Sequence, residues 1–230
     1  MSGAAGGKHG ASGTIEGGAG APGKNGTARL NDPWSMSRDV CRREGTALSV
    51  IDVQERLLPQ ITGAEAVVGN ALKLIDMAAI LQIPIIVTEQ YPRGLGPTVA
   101  PVLERLFGDS GVVSGVTGPP IEKVSFSCFG SPAYRDKLKE VGAKRLVLCG
   151  VEAHVCVCQT ALDALAAGLQ VHVVVDSVGS RRPSDAEVAL GRLGRAGAVL
   201  TCTESVIYEL LQSSDVPEFK QVLEVVKRPR

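Results

Sequence analysis

The sequence predicts a three-layer α/β domain, with a mostly parallel sheet of about six strands between two layers of helices. Three observations point there. Short apolar runs rich in β-branched residues recur along the chain. Segments of helical period separate them, and Gly, Pro and capping residues mark the joins. Strands that alternate with helices feed right-handed parallel crossovers, which place helices on both faces.

The first strand is Thr46–Asp52 (TALSVID), an apolar run closed by an acid. Helical period follows over Ala64–Gln82 through Val67, Val68, Ala71, Leu72, Ile75 and Ala79. Ile83–Thr88 is the second strand, with Pro84 tolerated near its start. EQYPRGLGPTVAP reads as loop from its Gly and Pro content, Val99–Phe107 as a short helix, and IEKVS (121–125) as a short strand. Ser131 caps a helix with Pro132 in its first turn, which runs to Val141 and stops at Gly142. Arg145–Cys149 is the fourth strand, His154–Ala167 the next helix, with Gly168 at its end, and Leu169–Asp176 the fifth strand. Ser184-Asp185-Ala186-Glu187 forms a capping box for a helix that ends at Gly197. AVLTC is the last strand. Helices over Glu204–Gln212 and Pro217–Val226 close the chain.

Three regions result. Residues 1–44 are a Gly/Ala-rich tail and lead-in, expected to be disordered because they hold too few large apolar residues to offset ordering entropy. His9 is read there as a solvated residue, and Trp34 as docking on the body. Residues 45–215 are the folded domain, and 216–230 a helical extension.

A chain of 230 residues that is 44% hydrophobic has ample material for a core. Its 24 basic and 24 acidic residues cancel, and no basic stripe interleaved with aromatics occurs, so a nucleic-acid partner is not expected. The cysteines at 41, 128, 149, 156, 158 and 202 lack the spacing of a disulfide framework, which fits a reducing compartment. No apolar run reaches the ~20 residues of a membrane span, and the first residues lack a signal-peptide pattern. A cytoplasmic protein with no membrane partner is expected.

In such folds ligands bind at the carboxyl ends of the strands. Asp52, Glu89 and the segment Gly150–Cys156 fall there and are expected to share one rim. Cys156 sits at the start of a helix, where unpaired N–H groups and the macrodipole lower a thiol pKa. A buried structural cysteine is the alternative, and this segment alone supports both readings. Lys123, in IEKVSFS, is a third ionisable residue near a strand end.

Asp52, Lys123 and Cys156, with the motifs IDVQERL, TEQYPRGLGPTV, GVEAHVC and VHVVVDSVGSR in this order, resemble the isochorismatase-like cysteine hydrolases. The TEQYPRGLGPTV stretch is most similar to the isochorismatase domain-containing subfamily. The resemblance runs from about Ala47 to Leu211 and implies a Rossmann-like sheet. It implies roles as well: Cys156 as nucleophile, Asp52 as general base, and Lys123 as the triad lysine that lowers the Cys156 pKa and keeps Asp52 ionised. It further implies a non-proline cis peptide at Val151–Glu152, with the backbone N–H groups of Glu152 and Cys156 forming an oxyanion hole. The implied chemistry is cleavage of a C–N bond in a small amide or carbamoyl compound through a thioester. A homo-oligomer is also implied.

True isochorismatases of this family carry Gly at the nucleophile position, so Cys156 speaks against vinyl-ether hydrolysis. Nicotinamidases carry an Asp/His metal cluster after the second strand. The loop here has no histidine, so neither a metal nor another cofactor is expected. Gln54, Tyr91, Phe126 and His154 flank the triad and are the candidate substrate-binding residues. For Gln54 and Tyr91 a surface role is the alternative, for Phe126 core packing, and for His154 a helix-start cap or surface position. Glu89 is either an orienting group or a loop charge, and Arg93 either a carboxylate contact or a solvated arginine.

Rival readings are weaker. On a helix His154 and Cys158 share a face from which Cys156 points away, which speaks against a three-residue zinc site and a Cys156–Cys158 redox pair. Gly94–Gly96 lacks a full phosphate-loop pattern, and no Gly-x-Ser-x-Gly elbow occurs. A non-catalytic binding protein or a redox sensor on the same scaffold remains open.

Overall fold

Six parallel strands in the order β3-β2-β1-β4-β5-β6 form the centre of the computed structural model. It describes Gly3, Ser37 and residues 39–108 and 111–228, and Arg38–Arg230 form one compact unit. The glycine-rich segment with His9 and Trp34 lies outside the described residues.

The elements follow the alternation in the sequence. β1 (Thr46–Ile51), α1 (Ala64–Ile80), β2 (Ile85–Gln90), a one-turn α2 (Pro92–Leu95), α3 (Ala100–Phe107) and β3 (Ile121–Lys123) build one half. α4 (Pro132–Glu140), β4 (Arg145–Val151), α5 (Cys158–Ala166), β5 (Gln170–Gly179), α6 (Pro183–Ala196) and β6 (Val199–Thr201) build the other. α7 (Thr203–Leu211) and α8 (Phe219–Val226) complete the chain.

Strand alternation divides the core in two. Leu48 and Val50 of β1, Ile85 and Val87 of β2, and Val147, Cys149 and Val151 of β4 pack under α1, α3, α7 and α8. Ala47, Ile51, Ile86, Leu146 and Leu148 point the other way, against α4, α5 and α6. Every residue of β1 and of β4 is buried, as a parallel sheet covered on both faces requires. α8 belongs to the first layer: Val222 and Val225 are buried, and Lys73 of α1 donates to the Arg228 carbonyl (2.6 Å).

The strand order reverses between β1 and β4, which pair along their whole length up to Ile51 opposite Gly150. Gly150 has φ +112°, and a Cβ there would overlap the Ile51 carbonyl oxygen. Only glycine lets the strands close at this switch point, where ligands of open α/β sheets bind.

Local structure departs from the sequence reading in several places. The stretch after β2 is not all loop, because Pro92 opens the short α2. α6 begins at Pro183 with Arg182 at its N-cap and no side-chain cap, since Pro favours the first helical position and displaces the Ser184 capping box. Ser131 occupies the N-cap of α4, but its side chain makes no capping bond. The helix expected from His154 opens instead as a π-helical turn, Ala153–Val157, before α5. Such turns are rare and concentrate at functional sites.

Candidate active site

β1 ends in a sharp bend at Asp52, whose φ of +51° is tolerated by a short polar side chain. Its N–H donates to the Thr88 carbonyl of β2 (3.1 Å), so the bend is held by the neighbouring strand. The carboxylate is wholly buried and both oxygens are occupied. Thr88 Oγ1 donates to Oδ1 (2.7 Å), and Lys123 Nζ donates to Oδ2 (2.7 Å). Both side chains of the Lys123–Asp52 ion pair are excluded from solvent. A buried pair survives only when its remaining protons are satisfied. Lys123 Nζ meets that demand through Gln90 Oε1 (2.9 Å) and the carbonyls of Phe126 (3.1 Å) and Ser125 (3.3 Å).

Burial is the largest influence on Lys123 and opposes its charge. The negative charge of Asp52, aided by its hydrogen bond to Nζ, leads the influences that outweigh it, so the Lys123 pKa lies above the ordinary lysine value. The loop that supplies the carbonyls is pinned to α5: Cys128 N donates to Thr160 Oγ1 (2.9 Å), and Ser127 Oγ to Asp163 Oδ2 (2.5 Å).

Cys156 approaches the same carboxylate from the π-helical turn. It is 5% exposed and lies close enough to Asp52 and Lys123 to feel both charges. Residues 52, 123 and 156, which come from the ends of three elements, therefore meet at one point of the rim. Their electrostatics correct the sequence reading. Burial, and after it the Asp52 charge, raise the Cys156 pKa well above the ordinary thiol value, and the lowering influence of Lys123 does not offset them. Cys156 therefore rests as a neutral thiol beside a carboxylate. Cys128, also buried nearby, is pushed up to about 11 by burial and by Asp52, and its Sγ contacts Thr88 Oγ1 (3.8 Å).

The peptide bond Val151–Glu152 is cis. Glu152 Oε2 accepts from Arg181 N (3.0 Å) and Nε (3.1 Å), and its carbonyl accepts from Val155 N (3.0 Å) and Val157 N (3.2 Å). The turn carrying Cys156 is thus tied to the end of β5. His154 joins the same tie: its Nδ1 lies 2.9 Å from Ser180 Oγ, with Asp185 Oδ2 4.0 Å from Nε2.

The flanking residues divide. Gln54 is fully buried and its amide is spent on backbone: Nε2 donates to the carbonyls of Gln90 (3.0 Å) and Gly96 (2.6 Å), and Oε1 accepts from Gln90 N (2.7 Å). It braces the loop, and the substrate-binding reading of Gln54 is corrected accordingly. Glu89 does the same from the other side of β2, accepting from Thr98 N (2.6 Å) and Oγ1 (2.8 Å). Phe126, for which core packing was the alternative, is instead exposed on the loop between Lys123 and Cys128. Tyr91 is exposed with φ +38° and lines a cleft of about 510 Å3 beside Lys123, together with Arg93, Glu122, Ser125 and Ser131. Among the described residues no group of three or more His, Cys, Asp or Glu is placed to hold a metal ion, and no helix is long and apolar enough to cross a membrane.

Two residues of the site escaped the sequence reading, Thr88 and Gln90. The signal was present: both flank Glu89 on β2, and the two-residue strand period turns them toward the face opposite Glu89.

Comparison with known proteins points consistently to one family. The isochorismatase domain model matches residues 46–205. Isochorismatase domain-containing protein 2A of Mus musculus is 38% identical over 187 residues, covering 81% of this chain and 84% of the relative. The structure of the MAR1 ribonuclease from Caenorhabditis elegans superposes with a TM-score of 0.74 at 40% identity, covering 83% of this chain and 94% of that one. YcaC from Pseudomonas aeruginosa, solved with hexane-2,5-diol and covalent acrylamide, gives a TM-score of 0.73 at 27% identity, covering 83% and 93%.

Proposed function

The chain belongs to the isochorismatase family, and from that premise we propose that it is a cysteine hydrolase that cleaves the C–N bond of a small amide or carbamoyl compound. The observation that carries the reading is the buried Asp52–Lys123 pair with the buried Cys156 thiol within reach of both charges.

The thiol proton passes to Asp52 as the sulfur attacks the substrate carbonyl. A neutral resting thiol next to a carboxylate suits this coupled step better than a standing thiolate. The tetrahedral oxyanion faces the backbone N–H groups of Glu152 and Cys156, where one lost donor typically costs roughly 10²–10³ in rate. Collapse breaks the C–N bond, and the departing ammonia or amine takes the proton from Asp52. Water, deprotonated by Asp52, then attacks the thioester and returns the thiol and a carboxylic acid or carbamate. Lys123 stays charged throughout and holds the Asp52 carboxylate in place through its bond to Oδ2. Tyr91, Phe126 and His154 are the side chains proposed to meet substrate. The covalent acrylamide in the YcaC relative supports an electrophile-accepting nucleophile in this fold.

The test is a panel of small amides, ureas and carbamates scored for ammonia or amine release, with Cys156→Ala as control. Turnover that survives in Cys156→Ala ends the thiol mechanism. The C. elegans relative is named a ribonuclease, which favours RNA cleavage as a second reading. A labelled RNA belongs in the same panel: RNA cleavage lost in Cys156→Ala, without release from any amide, replaces the first reading with the second.

A further inference from the structure

We infer that Gln90, the last residue of β2, is a positioning residue that fixes the Lys123 ammonium against Asp52, an inference that rests on the cysteine-hydrolase reading above. Lys123 Nζ carries three protons and meets four acceptors. Two are carbonyls of its own following loop. Among the described residues only Asp52 and Gln90 reach it as side chains from elsewhere in the sheet, so these two tie the ammonium to it.

The orientation of the Gln90 amide is set by its second partner. Nε2 donates to the Val124 carbonyl (2.9 Å), which leaves Oε1 as the end that faces Nζ. The flipped amide would set an NH2 against an ammonium and an oxygen against a carbonyl, two repulsive contacts in place of two bonds. The backbone of Gln90 is itself gripped on both its N–H and its carbonyl by the Gln54 amide. Gln54 lies two residues after Asp52, so the contacts close a ring: Asp52 leads through its own chain to Gln54, Gln54 holds Gln90, Gln90 holds Lys123, and Lys123 returns to Asp52. A ring of this kind removes the slack that a long lysine side chain would otherwise carry into the site. Lys123 is the one group that lowers the Cys156 pKa against burial and Asp52, so its placement sets how readily the thiol gives up its proton.

The test uses the full chain with Gln90→Met, which fills similar volume without an acceptor, and Gln90→Glu, which keeps the acceptor but loses the donor. Hydrogen exchange of the Lys123 ammonium is read by 15N NMR, and Cys156 alkylation by iodoacetamide is followed against pH by mass spectrometry. In Gln90→Met the ammonium exchanges at least about tenfold faster, and the alkylation midpoint moves up by about 0.5–1 pH unit, the size of a weakened neighbouring charge. In Gln90→Glu slow exchange is retained, and the alkylation midpoint also rises because a second carboxylate on the ammonium offsets the positive charge that lowers the thiol pKa. A brace that is merely structural would lower the melting temperature and leave exchange and midpoint in the folded protein unchanged, and that result overturns the inference. Where Gln90→Met does not fold, fast exchange in Gln90→Glu overturns it and slow exchange supports it. Failure to release ammonia from any amide would sink the hydrolase reading but leave the exchange contrast standing, so the two claims fail separately.

Discussion

A proton on the Cys156 sulfur has a carboxylate to go to, and the charge of that carboxylate is also a chief reason the proton stays. This double role makes Asp52→Asn informative. It removes the negative charge that raises the thiol pKa and leaves the opposing charge of Lys123 in place. Alkylation of Cys156 at fixed pH is then expected to quicken by about tenfold or more, because an adjacent charge moves a pKa by one unit or beyond. Amide turnover is expected to fall by about 10²–10⁴, the usual worth of a general base. Parallel loss of labelling and turnover would refute the assignment. Lys123→Met works the other way: it slows alkylation and strands a buried carboxylate, at an expected cost of about 3–5 kcal/mol in urea unfolding. Thr88→Val is milder. It takes one donor from Asp52 Oδ1, and leaving a buried acceptor short costs about 1–3 kcal/mol. Its denaturation midpoint checks this, and an unchanged midpoint would show that the bond carries no net stability.

At the scale of elements, the junction of β1 and β4 concentrates the sequence's demands. Gly150→Ala would add a methyl group into the Ile51 carbonyl at a φ of +112°. The strain of that conformation and the overlap together are expected to cost more than about 2 kcal/mol, and to abolish Cys156 labelling as the strand ends part. Circular dichroism with mass-spectrometric labelling separates the two effects. Most elements here were legible from the sequence, because strands buried on both faces read as unbroken apolar runs, as in TALSVI and RLVLCGV. Asp52 was legible for a related reason, because it sits where such a run stops, whereas Cys156 was read from its place near a helix start and Lys123 through the family resemblance. What escaped depended on partners distant in the chain. Gln54 looked like a pocket residue because nothing in its neighbours announces that its amide is spent on Gln90, 36 positions on. The π-helical turn escaped because a five-residue widening barely disturbs a helical period.

For the whole molecule, the telling group lies well before the active rim, near the start of β5. His172 is fully buried in the sheet, and among the described residues neither ring nitrogen has a hydrogen-bond partner. Burial, and after it the charge of Arg145, lower its pKa to about 4, with Asp39 opposing. The fold therefore holds a neutral imidazole, whereas the unfolded chain protonates near 6.5. Above pH 6.5 both states are neutral and the group costs nothing through protonation. As pH falls from 6.5 to 4 the unfolded state binds a proton that the fold refuses, and stability declines across that window by an amount that approaches about 3 kcal/mol. Below pH 4 both states are protonated and this contribution levels off. His172→Leu abolishes the difference and also removes two buried polar atoms that lack partners. Urea midpoints measured between pH 8 and pH 4 should therefore diverge, with the variant the more stable protein at pH 5 and the gap widening toward pH 4. Curves that stay parallel through that window would mean that His172 finds a proton acceptor in the folded protein, and that acid sensitivity arises elsewhere in the molecule.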